Sequence, residues 1–317
     1  MSLRSFTLHD LINRNAKLYG SNTALLFGDQ RVTHAQYAER TARLAAGLAA
    51  AGVGQGDRLA ILAPNGLEYV DLFGAAAQLG AIVVPINWRL SAEEVAYVIE
   101  DVAPRVLIVA DEFQALLPQS GLGDTLRYTL GAAPAPWQPV SALYLDRTVP
   151  PADLNDDEGL VIIHTAAVGG RPRGALLSHR GLIAASLQTQ LAWHLTPTDV
   201  NLGVLPLFHV AAIGFMLATQ QAGGATLLLT RFDPPSLVKH IDEDGGSLIG
   251  TFPPMLGALL DAAAAQGSAL DSLRVVSGID VPETIARLRT TCPQATFWSA
   301  YGQTETSGSV SLAPFDE

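Results

Sequence analysis

The chain has 317 residues, of which 49% are hydrophobic and 15% are charged, and its formal net charge is −11 at pH 7. This length and composition predict a globular protein with a large buried core, and the negative charge disfavours nucleic acid and anionic membranes as partners. The single cysteine, Cys292, excludes an intrachain disulfide. Since the sequence also has neither an apolar leader at its start nor an apolar run long enough to span a bilayer, we expect a cytoplasmic protein without a membrane span.

The first half of the chain alternates strand-like and helix-like segments. A hairpin is predicted where Thr23–Phe27 is followed by Arg31–Val32. Ser91 and Glu94 have the spacing of a capping box and predict a helix start. The apolar run Arg105–Val109 then predicts a buried strand.

Two connecting segments interrupt this alternation, one rich in proline at 132–139 and one polar at 150–158. Such segments commonly join compact units, so we predict a seam near residues 140–158. Three further strand–helix units follow, at 225–244, 247–265 and 274–289. Alternation of this kind predicts an α/β fold with mostly parallel sheets covered by helices.

A glycine-rich segment, His164–Gly174, follows the strand-like run Leu160–Ile163. The backbone N–H groups of such a loop can surround an anion. The segment lacks the Gly-Lys-Ser/Thr ending of the P-loops of kinases and GTPases. An ordinary surface hairpin turn is the competing interpretation, because glycine and proline mark many turns.

The most informative segment is Tyr301–Gly308, with the sequence Tyr-Gly-Gln-Thr-Glu-Thr-Ser-Gly, which follows the strand-like run Ala295–Ala300. In an open parallel sheet, ligands bind beyond the carboxyl ends of the strands. An aromatic ring, a glycine, a hydroxyl and a carboxylate at that position suit a nucleotide and its magnesium ion. The segment therefore predicts a nucleotide site.

In this order along the chain, the glycine-rich loop, Val204–Val210, Pro253–Met255 and Tyr301–Gly308 resemble the acyl-adenylate-forming enzymes. That family includes acyl-CoA synthetases, peptide-synthetase adenylation domains and firefly luciferase. The resemblance implies that residues 1–317 form an N-terminal AMP-binding domain, an α/β structure with two packed, mostly parallel sheets. It also implies that a small carboxylic acid is joined to AMP from ATP, with Mg²⁺, and that the acyl group then passes to a thiol, usually that of coenzyme A.

The resemblance also assigns roles to individual residues. Thr304 would hydrogen-bond the α-phosphate, Glu305 would hold Mg²⁺, and His209 would lie near the reacting carboxylate. Further candidates for nucleotide binding are Thr165, Gly170, Arg173, Gly174, Ser277, Gly278, Ile279, Asp280, Tyr301, Gly302 and Gln303. The competing interpretations are structural, with Glu305 as a solvated loop acid and His209 as a core histidine.

The acyl pocket is expected near three segments, Leu207–Phe215, Gly250–Pro253 and Ser277–Ile279. These segments are largely apolar, which favours a fatty or aromatic acid over a polar amino acid. Asp280 departs from the family pattern, in which this turn usually has a sequence like Gly-Ala/Ser-Ala-Pro.

The glycine-rich loop departs from the family pattern as well. The usual loop reads Thr-Ser-Gly-Thr-Thr-Gly-x-Pro-Lys-Gly, but here Ala166, Val168 and Gly169 replace three hydroxyl residues and Arg173 replaces the lysine. A weakly active or non-catalytic acyl- or nucleotide-binding relative is therefore the alternative function. The chain also ends soon after Gly308, and we expect a truncated form that lacks the small C-terminal domain of the family and is inactive by itself.

Overall fold

The chain forms two compact units, each of which contains one β-sheet. The computed structural model describes residues 6–118, 120–165 and 171–315. Unit 1 comprises the residues up to 20 and 34–183, and unit 2 comprises residues 21–33 and those from 184 onward. The predicted seam at 140–158 lies within unit 1, and the two units divide between Ile183 and Ala184.

Strands and helices alternate along most of the described ranges. The strands are β1 (Thr23–Phe27), β2 (Gln30–Thr33), β3 (Arg58–Leu62), β4 (Ile82–Pro85), β5 (Val106–Val109), β6 (Leu126–Thr129), β7 (Gln138–Pro139), β8 (Gly159–Thr165), β9 (Arg173–Ser178), β10 (Val200–Gly203), β11 (Ala225–Leu228), β12 (Gly246–Thr251), β13 (Val275–Gly278), β14 (Thr296–Gln303) and β15 (Gly308–Pro314). The helices are α1 (Leu8–Leu18), α2 (His34–Ala50), α3 (Leu67–Leu79), α4 (Ala92–Val102), α5 (His179–Ala192), α6 (Val210–Ala222), α7 (Pro234–Asp244), α8 (Met255–Gln266) and α9 (Pro282–Thr291). Short 3₁₀ turns lie at Asp111–Leu116, Val140–Leu143 and Thr304–Thr306.

Both sheets are mostly parallel, as predicted. The described strands of unit 1 have the order β7-β6-β5-β3-β4-β8-β9, with an antiparallel pair only at β8–β9. Those of unit 2 have the order β15-β14-β13-β12-β10-β11-β1-β2, and only the two edge pairs are antiparallel. No helix within the described ranges is long and apolar enough to cross a membrane.

Apolar runs and helix caps account for these elements. All four residues of Val106–Val109 are buried, as expected for a parallel strand that is covered on both faces. Helix α4 begins with the predicted capping box, because the Ser91 side chain accepts from the N–H of Glu94 and the Glu94 carboxylate accepts from the N–H of Ser91. Helix α4 packs against the buried residues of β3, β4 and β5 through Val95, Val98, Ile99 and Val102. The hairpin predicted around Gly28 is confirmed as β1–β2.

An ion pair between a buried carboxylate and a half-buried arginine joins the amino ends of three neighbouring strands in unit 2. Arg274, just before β13, donates from Nε and Nη2 to the carboxylate of Asp199 at 2.7 and 2.6 Å. Ser247 of β12 donates its hydroxyl to the same carboxylate at 2.7 Å and accepts from the N–H of Val200 in β10 at 3.0 Å. Burial alone would raise the pKa of Asp199, but the hydrogen bonds from Arg274, Ser247 and the N–H of Thr196 outweigh it and hold the pKa below its usual value.

Glycine is required where β12 and β13 end. Gly278 is paired with Thr251 across the two strands, and a β carbon at Gly278 would overlap the carbonyl oxygen of Thr251. Its φ of +156° also lies outside the range that other residues commonly adopt. A larger residue at this position must therefore push the carboxyl ends of the two strands apart.

Asp199→Ala should destabilise unit 2 strongly. The substitution leaves the Arg274 guanidinium, which is 32% exposed, and the Ser247 hydroxyl without the Asp199 acceptor, and the loss of these hydrogen bonds to a charged group costs about 2 kcal/mol of unfolding free energy. Asp261→Ala is the control, because the Asp261 and Arg287 side chains are 71% and 50% exposed and such surface pairs contribute about 1 kcal/mol or less. Urea unfolding followed by circular dichroism measures both, and equal losses for the two variants would contradict the role given to Asp199.

Gly278→Ala should also lower the free energy of unfolding, by about 2 kcal/mol, because overpacking of this kind forces the backbone to move. Gly257→Ala is the matched control. Gly257 lies in α8, and a β carbon there would have no atom within 4 Å. Alanine is favoured over glycine in helices by up to about 1 kcal/mol, so the control should be neutral or stabilising. Thermal unfolding measures the stability of both variants. If Gly278→Ala is as stable as the wild-type protein, the close approach of Gly278 to Thr251 is contradicted.

Candidate active site

A cleft of about 200 Å³ lies within unit 2, at the carboxyl ends of β12, β13 and β14. This is the edge of a parallel sheet at which ligands bind. Its apolar lining residues are Leu205, Val210, Ala211, Phe215, Phe252, Ile279 and Ala300. Its other lining residues are Ser277, Gly278, Gly302, Gln303, Gly308 and Ser309. The cleft is thus an apolar depression with a few uncharged polar groups.

Five of the residues predicted from the sequence line this cleft, and they come from two segments that are distant in the chain. Ser277, Gly278 and Ile279 lie at the end of β13, while Gly302 and Gln303 lie at the end of β14. The two strands are adjacent and parallel, so their carboxyl ends meet at the same edge. Each segment of the predicted acyl pocket also contributes to the lining, through Val210, Ala211, Phe215, Phe252 and the residues of β13.

The segment Tyr301–Glu305 starts inside a strand rather than after it. β14 continues to Gln303, three residues beyond the apolar run that predicted it. The Tyr301 ring is 75% exposed and therefore presents an open face for stacking. Thr304 begins a 3₁₀ turn in which Gln303 and Thr306 cap each other, and Glu305 is exposed at the centre of this turn.

Glu305 fits the requirements of a magnesium site only in part. Mg²⁺ is usually bound through one or two carboxylates, with waters and substrate phosphates as the other ligands. The exposed Glu305 supplies one carboxylate at the sheet edge, next to Thr304. No group of three or more His, Cys, Asp or Glu side chains within the described ranges could hold a metal ion. A magnesium ion here would depend on a bound phosphate for further ligands.

Ser277 and Asp280 each bury a polar atom at or beside the cleft. Ser277 is 1% exposed, and its Oγ has no hydrogen-bond partner among the described residues. The carboxylate of Asp280 accepts from the N–H of Val281 through Oδ1 at 2.8 Å. Its Oδ2 is buried and has no partner in the part of the chain that the structure describes. Buried polar groups are normally hydrogen-bonded, so these two atoms are candidates for contact with a ligand bound at the cleft.

His209 lies immediately before helix α6 and is exposed, so its interpretation as a core histidine is wrong. Its ring centroid is 4.5 Å from that of Phe208, and its neighbour Val210 lines the cleft. The side chain does not cap the helix. The position is compatible with a group that acts near the cleft.

The glycine-rich loop connects β8 and β9 in unit 1. These strands are antiparallel, with His164 opposite Gly174 and Thr165 opposite Arg173. The competing interpretation as a hairpin therefore describes the strands on either side of the loop, and both Arg173 and Gly174 are exposed. Gly170 and the replaced positions 166, 168 and 169 lie outside the described residues.

Helix α4 holds both of these strands beside the loop. The Asp101 carboxylate accepts from Nε2 of His164 at 2.9 Å on the β8 side. One turn earlier, the Tyr97 hydroxyl donates to the carbonyl of Pro172 at 3.0 Å. The Arg171 guanidinium also lies 5.2 Å from the centroid of the Tyr97 ring, within the range of a cation–π interaction. No sequence pattern indicates these contacts, because they join segments about 70 residues apart through single side chains.

Sequence reasoning also missed the residues that β15 adds to the cleft. Gly308 and Ser309 line it because β15 runs back along β14. A β carbon at Gly302 would overlap the carbonyl oxygen of Gly308, so the glycine permits this close approach. The alternating small and apolar residues of Gly308–Pro314 could have indicated a strand.

Comparison with known proteins supports the resemblance. The family model for AMP-binding enzymes matches residues 12–317. Feruloyl-CoA synthase from Amycolatopsis sp. is 31% identical over 300 residues, which make up 94% of this chain and 59% of that protein. This chain therefore spans about 59% of the length of that curated relative.

Solved structures agree with this match. A crystal structure from Rhodopseudomonas palustris CGA009, assigned provisionally as a long-chain-fatty-acid CoA ligase, is 45% identical with a TM-score of 0.94, and covers 99% of this chain and 80% of its own. The N-terminal domain of FACL13 from Mycobacterium tuberculosis is 25% identical with a TM-score of 0.84, and covers 97% of this chain and 78% of its own. Two mostly parallel sheets flanked by helices are thus the fold of an N-terminal domain of this kind. A family match over nearly the whole chain shows that it belongs to the AMP-binding enzymes.

Proposed function

We propose that the protein activates a small carboxylic acid with ATP and then transfers the acyl group to coenzyme A. In the first step a carboxylate oxygen attacks the α-phosphorus of ATP, the bond to the bridging oxygen breaks, and pyrophosphate leaves. In the second step the thiol attacks the acyl carbon, loses its proton and releases AMP. The family membership supports acid activation and ligation in general, and the named relatives act on acids that range from an aryl acid to long-chain fatty acids.

One observation carries the proposal. Ser277, Gly278 and Ile279 meet Gly302 and Gln303 at a single cleft, beyond the carboxyl ends of parallel strands. The turn at Thr304 follows directly, and the exposed Tyr301 ring precedes it. A stacking surface, a hydroxyl and a carboxylate next to an apolar cleft are the groups that an acyl adenylate needs.

The proposal assigns each group one task. The Thr304 hydroxyl donates to the α-phosphate, and the Tyr301 ring stacks on the adenine. Glu305 holds Mg²⁺, which when bound neutralises charge on the phosphates. His209 orients the acid's carboxylate, and Thr165, Arg173 and Gly174 belong to the loop that contacts the outer phosphates. Positioning and charge stabilisation account for most of the catalysis of such a displacement. A cytoplasmic location is part of the same proposal, because Cys292 is a free, buried cysteine.

Pyrophosphate exchange into ATP, dependent on a carboxylic acid, tests the first step in the full-length protein. Thr304→Val and Glu305→Gln should each lower the exchange rate by about 10²- to 10³-fold, as does the loss of one preorganised group in other enzymes. Glu283→Gln removes another exposed carboxylate of unit 2, at the start of α9, and should change nothing. Exchange at the wild-type rate in both site variants would contradict the assigned roles, and a wild-type protein without exchange for any acid would contradict the function.

The replaced loop hydroxyls lead to a separate expectation. A hydrogen bond to a charged group contributes roughly 1.5–3 kcal/mol, so the loop should hold pyrophosphate more weakly than the usual family sequence. The triple substitution Ala166→Ser, Val168→Thr and Gly169→Thr should therefore lower KM for ATP at least tenfold and raise pyrophosphate exchange. Ala175→Ser, in β9 beyond the loop, is the control. If the restored hydroxyls change neither KM for ATP nor pyrophosphate exchange, the hypothesis of a weakened loop is wrong. The proposal of acid activation would not be affected by that result.

A further inference from the structure

The size of the cleft limits the acid that it can hold. Its volume is about 200 Å³, and an apolar cavity of about 150 Å³ in another protein holds one benzene ring. A methylene group takes up about as much space as a water molecule, roughly 30 Å³ in the liquid, so a sixteen-carbon chain needs on the order of twice the available volume. The cleft therefore has room for one substituted aromatic ring but for less than about half of a sixteen-carbon chain.

A closely packed aromatic side chain, Phe215, forms part of the apolar lining. Phe215 lines the cleft and is 9% exposed. On one side its ring edge lies so close to Gly250 that a β carbon there would overlap it. The ring of Trp193, which is 1% exposed, lies 5.0 Å away between centroids. Since Phe215 is packed between these neighbours, the cleft cannot lengthen in this direction without a change of sequence.

The cleft also offers a single buried hydroxyl. Ser277 lines the cleft, and its buried Oγ has no hydrogen-bond partner among residues 6–118, 120–165 and 171–315. A buried polar atom of this kind is costly to leave unsatisfied. None of the described lining residues carries a charge, so the complementary group on a ligand is neutral, such as a hydroxyl, an amine on a ring or a carbonyl.

We infer that the acid is a single-ring aromatic acid with a neutral hydrogen-bonding substituent, that Phe215 sets the length limit, and that Ser277 recognises the substituent. This inference rests on the proposed function and names its substrate class. It makes Phe215 and Ser277 specificity-determining residues. Both line the cleft, whereas Thr304 and Glu305, the groups assigned to the phosphates, are not among its lining residues.

The test compares acids in the full-length protein by ATP-dependent pyrophosphate exchange, with benzoate, the three hydroxybenzoates, hexanoate and palmitate. At least one hydroxybenzoate should have a kcat/KM at least tenfold above that of palmitate. Ser277→Ala should lower kcat/KM for that hydroxybenzoate by about three- to tenfold more than it lowers kcat/KM for benzoate, the equivalent of one neutral hydrogen bond. Thr226→Val is the control, because it also removes a buried hydroxyl without a described partner from the same sheet, away from the cleft lining.

Phe215→Ala should raise the rate with hexanoate relative to benzoate, whereas Met216→Ala, at the next buried position of α6, should not. Phe215→Leu provides a milder version if the alanine variant does not fold. A preference for palmitate in the wild-type protein would overturn the inference while the proposed function stands. An equal loss for benzoate and hydroxybenzoate in Ser277→Ala would also overturn it, since Ser277 would then serve the adenylate rather than the ring. Absence of exchange with every acid would instead refute the proposed function.

Discussion

The ion pair between Asp199 and Arg274 is the constraint on which unit 2 depends. Its two residues precede β10 and β13, and Ser247 links them to β12 between those strands. Fixing the amino ends of three parallel strands also fixes their register, because a shift of one residue would move each side chain to the opposite face. The carboxyl ends then meet in one order at the other edge, where the cleft lies.

The cleft therefore results from strand order more than from any single loop. β12, β13 and β14 are neighbours in the sheet although helices α8 and α9 separate them in sequence. Each strand contributes the residues at its carboxyl end, Phe252 after β12, Ser277 in β13 and Gln303 in β14. The antiparallel β15 then adds small residues beside β14. Two close approaches that only glycine permits, at Gly278 and Gly302, bring these backbones together.

Much of this fold could be predicted from sequence because local patterns specify it. The apolar run at Val106–Val109 and the capping box at Ser91 correspond to β5 and the start of α4. The strands β9 and β15 were not predicted, because their residues are mostly half-buried or exposed; Leu176 of β9, for example, is 58% exposed. Such edge strands depend on pairing with a neighbour rather than on burial.

The features of the candidate site also fall into two groups, those that the sequence can predict and those that it cannot. Residues of the Tyr301–Gly308 segment and of Ser277–Ile279 could be selected because they stand in recognisable motifs after strands. The contact of Tyr97 with Pro172, the support of Phe215 by Trp193 and the unsatisfied hydroxyl of Ser277 could not. Each depends on the packing of side chains from distant segments, and sequence spacing carries no information about that packing.

The distribution of charge in and around the cleft would determine the orientation of an anionic ligand. The protein has a net charge of −11, and the described cleft lining carries no charge that could compensate a buried carboxylate. Transfer of an ionised carboxylate into apolar surroundings is very unfavourable unless it is paired, so the carboxylate must remain outside the apolar end. In the complex that we propose, the ring would lie against Phe215 and the carboxylate would face the turn at Thr304, where backbone N–H groups, a hydroxyl and a phosphate-bound cation could surround developing charge. An uncharged cleft in an acidic protein would thus orient an anionic substrate toward the groups to which the proposal assigns its activation.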